Sequence, residues 1–156
     1  MVKELAGLSK DELELVLKAP LLVGLLIAGA DGTIDQKEMR QGLDLAEHHL
    51  QKAAGEYSVF YQSIAQDFDE KFTILLQQYP KDVSKRQQMV VKELEKLNPV
   101  LRKIDPRFAR PYHQCLLEVS RKIAESSGGF LRKNKVSPEE STWVNLPMIT
   151  EPGLHV

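Results

Sequence analysis

"APLLVGLLIAGA", residues 19–30, is a run of twelve uncharged, mostly apolar residues near the start of the chain. A membrane-spanning helix takes about 20 such residues, so the run is too short to cross a bilayer. Ala28-Gly29-Ala30 imitates a signal cleavage site, yet Glu4, Asp11, Glu12 and Glu14 stand in front of the run. A secretory leader is short and positive there. What remains is a helix that is apolar on every side, and such a helix belongs at the centre of a core. The expected location is the cytoplasm, with no membrane insertion.

On both sides of this run the periodicity is helical. Ser9 and Glu12 have capping-box spacing in front of Leu13, Val16 and Leu17. Pro20 suits the first turn of the apolar helix, where its missing N–H costs nothing. From Asp35, the residues Met39, Leu43, Ala46, Leu50 and Ala53 fall on one helical face, and Gly55 is placed to end that helix. A second stripe holds Tyr57, Phe60, Tyr61, Ile64, Phe68, Phe72, Leu75 and Tyr79, stopped by Pro80. Val90, Leu94, Leu97, Leu101 and Ile104 form a third, which Pro99 bends or divides. Asp105-Pro106 caps and starts the stripe Phe108, Tyr112, Cys115, Leu116, Val119 and Ile123. Ser137-Pro138-Glu139-Glu140 repeats that device for a last short helix. Residues after about Pro147 have no period and read as a tail. No alternating apolar run supports a strand. The pattern predicts an all-α fold of about seven helices, one compact domain over residues 1–147 with a C-terminal tail over 148–156.

The bulk numbers agree with one self-sufficient domain. A chain of 156 residues buries roughly two thirds of its unfolded surface, so folding needs neither metal nor disulfide. A single cysteine, Cys115, cannot make an internal disulfide and fits a reducing compartment. The net charge of −1 supplies no field toward nucleic acid or anionic lipid. "RKNK", residues 132–135, is the densest basic knot and reads as a solvated loop.

Immediately after the apolar run comes "LIAGADGTIDQKEM", residues 26–39. Asp31, Gly32, Ile34, Asp35 and Glu38 match positions five, six, eight, nine and twelve of a calcium loop. Ile27 and Gly29 stand at the first and third positions, where a hard cation needs oxygen ligands, so this is not an EF-hand. Each residue also has a purely structural reading. Gly32 tolerates positive φ, Asp31 bonds its own turn, Asp35 caps the next helix and Glu38 completes a capping box. A second corner, "KIAESSGGFLRKNKVSPEE", residues 122–140, echoes the first with an insertion at its turn. If the two pack side by side, Asp31, Asp35 and Glu38 meet Glu139 and Glu140, with Glu125 a further candidate. Carboxylates gathered that way repel unless a divalent cation or a basic partner sits between them.

"ADGTIDQKE" after an apolar helix, followed later by "IAESSGG" and "VSPEE", resembles the TerB-like proteins of the tellurite-resistance group. A related domain occurs in DnaJ-like membrane co-chaperones. The resemblance is concentrated in Leu21–Leu50 and, more loosely, Ile123–Trp143. It implies an all-helical, cytoplasmic, bacterial stress-associated protein whose acidic residues are proposed to bind a divalent metal. By position, Asp31, Asp35 and Glu38 take the place of the first motif's acids, and Glu139 or Glu140 that of the second. The second motif departs from the pattern, reading Ser126-Ser127-Gly128-Gly129 where Asp-Gly belongs. A metal site that needs that aspartate is weakened by the change.

Other chemistry is thinner. Asp44 and His48 stand four apart, a spacing able to chelate one ion, but they read more simply as an exposed ion pair or a solvated histidine, and His49 points elsewhere. His113 and Cys115 are two apart on a helix and diverge, and Cys115 lies on the apolar stripe as a small buried residue. Trp143 reads as a clamp over the core. No phosphate loop, nucleophile elbow or paired-cysteine site occurs. An enzyme is disfavoured, because no nucleophile, base and orienting group converge in the sequence, and two other functions stay open. One is a non-enzymatic stress protein holding calcium, magnesium or zinc at the acidic corner and working as sensor or scaffold. The other is a metal-free interaction module whose acidic cleft receives a basic protein partner.

Overall fold

The computed structural model describes residues 6–28, 40, 68–127 and 143–152. Its elements are α1 (Lys10–Ala28), α2 (Phe68–Gln78), α3 (Val83–Glu95), α4 (Leu97–Lys103) and α5 (Pro106–Ser127). There is no strand among the described residues, so the chain is all-α there, as the periodicity requires. The stripes from Met39 to Ala53 and from Tyr57 to Ile64, and with them the count of about seven helices, fall outside the described residues.

Ser9 and Glu12 make the expected capping box at the start of α1. The Ser9 N–H donates to Glu12 Oε1 at 2.9 Å, and the Glu12 N–H donates to Ser9 Oγ at 3.2 Å. The apolar run is the core of the molecule: Leu22, Val23, Leu25 and Ile27 have no exposed surface, and Leu21 and Leu26 nearly none. Pro20 does not open a new helix as its sequence position suggests. It lies inside one continuous helix, which leaves the Val16 carbonyl without its usual donor four residues on. Tyr112, fully buried on α5, supplies that donor, its hydroxyl reaching Val16 O at 2.7 Å.

The later helices begin and end on local signals. Asp82 caps α3 by accepting from the Lys85 N–H at 3.0 Å, a start that the hydrophobic period alone does not mark. Val90 and Leu94 on α3 and Leu97 and Leu101 on α4 are buried, as is Ile104. The division falls at Lys96, one turn ahead of Pro99. A proline ring excludes the carbonyl four residues before it, so Pro99 takes the first turn of α4 instead. Asp105 caps α5 through the Arg107 N–H at 2.9 Å, with Pro106 at its first position. Phe108, Tyr112, Cys115, Leu116, Val119 and Ile123 are all buried on its inner face.

Three cross-links fix how these helices lie against α1. Lys18 pairs with Glu93 at the end of α3, at 3.6 Å. Lys103, at the end of α4, pairs with Glu12. Tyr112, one and a half turns into α5, reaches Val16. The chain therefore descends along α1 through α3 and α4, turns at Ile104-Asp105, and climbs again as α5. α1 and α5 run in the same direction and end on the same side of the core.

Residues 143–152 pack on the core, so the tail expected over 148–156 begins packed at Met148 and Ile149. Leu146 and Ile149 are buried, and Trp143, Val144 and Met148 lie partly buried against the core. Trp143 covers the core as expected. Asn98 on α4 holds the segment with both ends of its amide: Nδ2 donates to Met148 O at 3.1 Å, and Oδ1 accepts from the Thr150 N–H at 2.9 Å. Tertiary hydrogen bonds and two apolar anchors replace the helical ladder.

Tyr112→Phe should lower the unfolding free energy by about 1–3 kcal/mol, the usual cost of an unsatisfied buried group. In a Pro20→Ala background the restored N–H occupies the Val16 carbonyl, and the same change should then cost less than about 1 kcal/mol. Urea unfolding of the four chains measures both, and equal costs in the two backgrounds would refute the pairing.

Candidate functional site

Asp31, Asp35, Glu38, Glu139 and Glu140 lie outside the described residues, as do Asp44, His48, His49 and the basic knot 132–135. Glu125 belongs to α5, and its side chain is likewise outside them. Among the described residues, no group of three or more His, Cys, Asp or Glu side chains is arranged to hold a metal ion. The described fold does determine where the two corners start. The first begins beyond Ala28 at the end of α1, the second beyond Ser127 at the end of α5. These two ends share one side of the core.

Cys115 and His113 are both buried. Cys115 has no exposed surface and packs as a small apolar residue. His113 is 5 % exposed, and its Nδ1 has no hydrogen-bond partner among the described residues. Burial pushes its pKa below the ordinary imidazole value, while the carboxylate of Glu151 opposes that shift. A neutral buried imidazole contributes stability above its unfolded pKa of about 6.5 and loses it as the pH falls from there toward the folded value.

Sequence reasoning did not find the open surface at the N-terminal half of α1. A cleft of about 430 Å³ is lined there by Glu12, Glu14, Lys18, Glu93, Lys96 and Val100. Glu12 is held below the usual carboxylate range by the Lys103 ammonium and by the Ser9 N–H. Next to it, a more apolar groove of about 340 Å³ runs between α1 and α2, with Leu17, Leu21, Ile74 and Leu75 in its walls and Lys71 at its rim. Ile74 is 50 % exposed and Met89, beside the neighbouring hollow on α3, 45 %. The one legible signal was Ile74, an apolar residue off the stripe Phe72–Leu75–Tyr79. Which helices would flank it is a property of the tertiary arrangement.

No family model, curated protein or solved structure matches the chain. Fold and function rest on the residues and their geometry.

Asn98→Ala should cost about 1–2 kcal/mol, because it removes both the donor and the acceptor that hold the Met148–Thr150 backbone. The loss should appear first as faster exchange of the Thr150 amide, with the amides of α1 unchanged. Uniform acceleration across the molecule would show instead that the segment is not a separate unit.

Proposed function

We propose that this chain is a TerB-like, non-enzymatic stress-associated protein of the cytoplasm, with about seven helices. In this reading it binds a divalent cation, calcium, magnesium or zinc, through Asp31, Asp35, Glu38, Glu139 and Glu140, and acts as a sensor or scaffold. The observation that supports it is the parallel course of α1 and α5. The two acidic corners grow from helix ends on one side of the core, the arrangement a shared cleft needs. Five carboxylates around one cleft repel one another, and a hard cation with six to eight oxygen ligands removes that repulsion.

The second reading is a metal-free helical module that receives a protein partner. The apolar groove beside Ile74, with charged residues along its rim, favours it. The partner then meets a surface that is apolar at its centre and charged at its edge, as interaction sites commonly are.

A titration with calcium, magnesium and zinc, followed by amide NMR and urea unfolding, separates the two. On the metal reading, saturable shifts centre on residues 30–39 and 137–140 and disappear in Asp31→Ala. Wild-type stability should also rise by about 2.7 kcal/mol at a hundredfold excess of ion over Kd. Flat spectra at millimolar ion would reject the metal and leave the partner-binding module.

A further inference from the structure

The segment 143–152 runs from Ser120 on α5, whose Oγ donates to Val144 O at 2.7 Å, to Asn98 on α4, which holds Met148 and Thr150. His113 lies seven residues before Ser120, about two turns along the same face of α5. No helical ladder holds the segment. Its own backbone bonds are those from the Leu146 N–H to Trp143 O and from the Ile149 N–H to Leu146 O, at 2.8 and 3.0 Å. Ser120 and the amide of Asn98 tie it to α5 and α4. Leu146, buried in the core, sits at φ 48°, in the left-handed region that side chains other than glycine disfavour. Docking thus combines two apolar anchors and a few side-chain tethers with one strained residue. His113 is buried on the face of α5 that carries Ser120, with Nδ1 unpartnered among the described residues.

We infer that residues 143–152 form a strap that closes over α4 and α5 at neutral pH and opens on acidification, with His113 as the proton-sensing group beneath it. An imidazolium at this site would be a buried cation, and opening the strap gives it water. Glu151, on the strap itself, is the charged group that acts on His113 among the described residues. It stabilises the imidazolium in the closed form and so restrains the opening. The sign follows from linkage. The open form binds the proton more tightly than the closed one, so the opening constant grows as the pH falls below about 6.5. Every tenfold difference in proton affinity between the two forms makes opening tenfold more favourable in acid.

Trp143 is the only tryptophan in the chain and lies on the strap, so its emission reports docking. Exchange of the Leu146, Ile149 and Thr150 amides, corrected for intrinsic rate, gives the opening constant. The full chain is titrated from pH 8 to 5, with far-ultraviolet dichroism to confirm that the helices persist. The expected result is a red shift of Trp143 and at least a tenfold rise in strap exchange relative to α1 amides between pH 7.5 and 5. His113→Phe should abolish both changes, and Glu151→Gln should enlarge them. Asn98→Ala, which loosens the strap at every pH, shows that the reporter responds. A flat wild-type titration beside a responsive Asn98→Ala would overturn the inference, as would an unchanged transition in His113→Phe. If His113→Phe does not fold, Glu151→Gln decides: a transition equal to or smaller than wild type rejects His113 as the sensor.

Discussion

The bond from the Tyr112 hydroxyl to the Val16 carbonyl is the constraint on which the arrangement of the core depends. α1 is the central helix, and a proline in its middle removes one rung of its ladder. In a dry core a carbonyl left open costs about as much as the whole contribution of a good hydrogen bond, or more. Only a donor from another element can close it. Tyr112 does so from α5, fully buried, stacked on Phe108 at a ring separation of 6.0 Å. A single polar contact therefore sets both the depth and the register at which α5 lies on α1. The apolar surfaces around it are non-directional and would tolerate other offsets.

That register governs everything downstream of the two helices. With Lys18 facing Glu93, Glu12 facing Lys103 and Val16 facing Tyr112, the chain passes down α1 and back up it. The two ion pairs are partly exposed and contribute little energy, but they mark the path. The consequence is that α1 and α5 deliver the chain to the same side of the core. An antiparallel α5 would have left the two helix ends on opposite sides. The N-terminal half of α1, away from that side, is left to line the open grooves with α2 and α3.

The C-terminal segment shows a different balance. It has no period, so nothing in its residue spacing announces that it packs. Yet Leu146 and Ile149 sink into the core, and Asn98 reads the backbone of Met148 and Thr150 rather than their side chains. Such a segment is held by tertiary bonds alone, and its docking costs a strained φ at Leu146. An element built this way opens more easily than a helix of the core.

Taken alone, the sequence determined the class of the fold and most of its core. The stripes Val90–Ile104 and Phe108–Ile123, the unbroken apolar run and the caps at Ser9 and Asp105 were all legible, because helix periodicity and capping are local. It did not place Pro20 correctly. A proline in the first turn and one in the middle of a helix look alike until the donor that rescues the open carbonyl is known, and Tyr112 is 96 residues away. Nor did it show Asn98 holding the last segment, or the groove beside Ile74, since both join stretches distant along the chain. The acidic corners could be read as residue types at a spacing, while the course of the helices that feed them was decided by packing. Local signals specify which residues are helical and which face turns inward. Which side of the core a helix ends on is settled only when buried polar groups find partners across it.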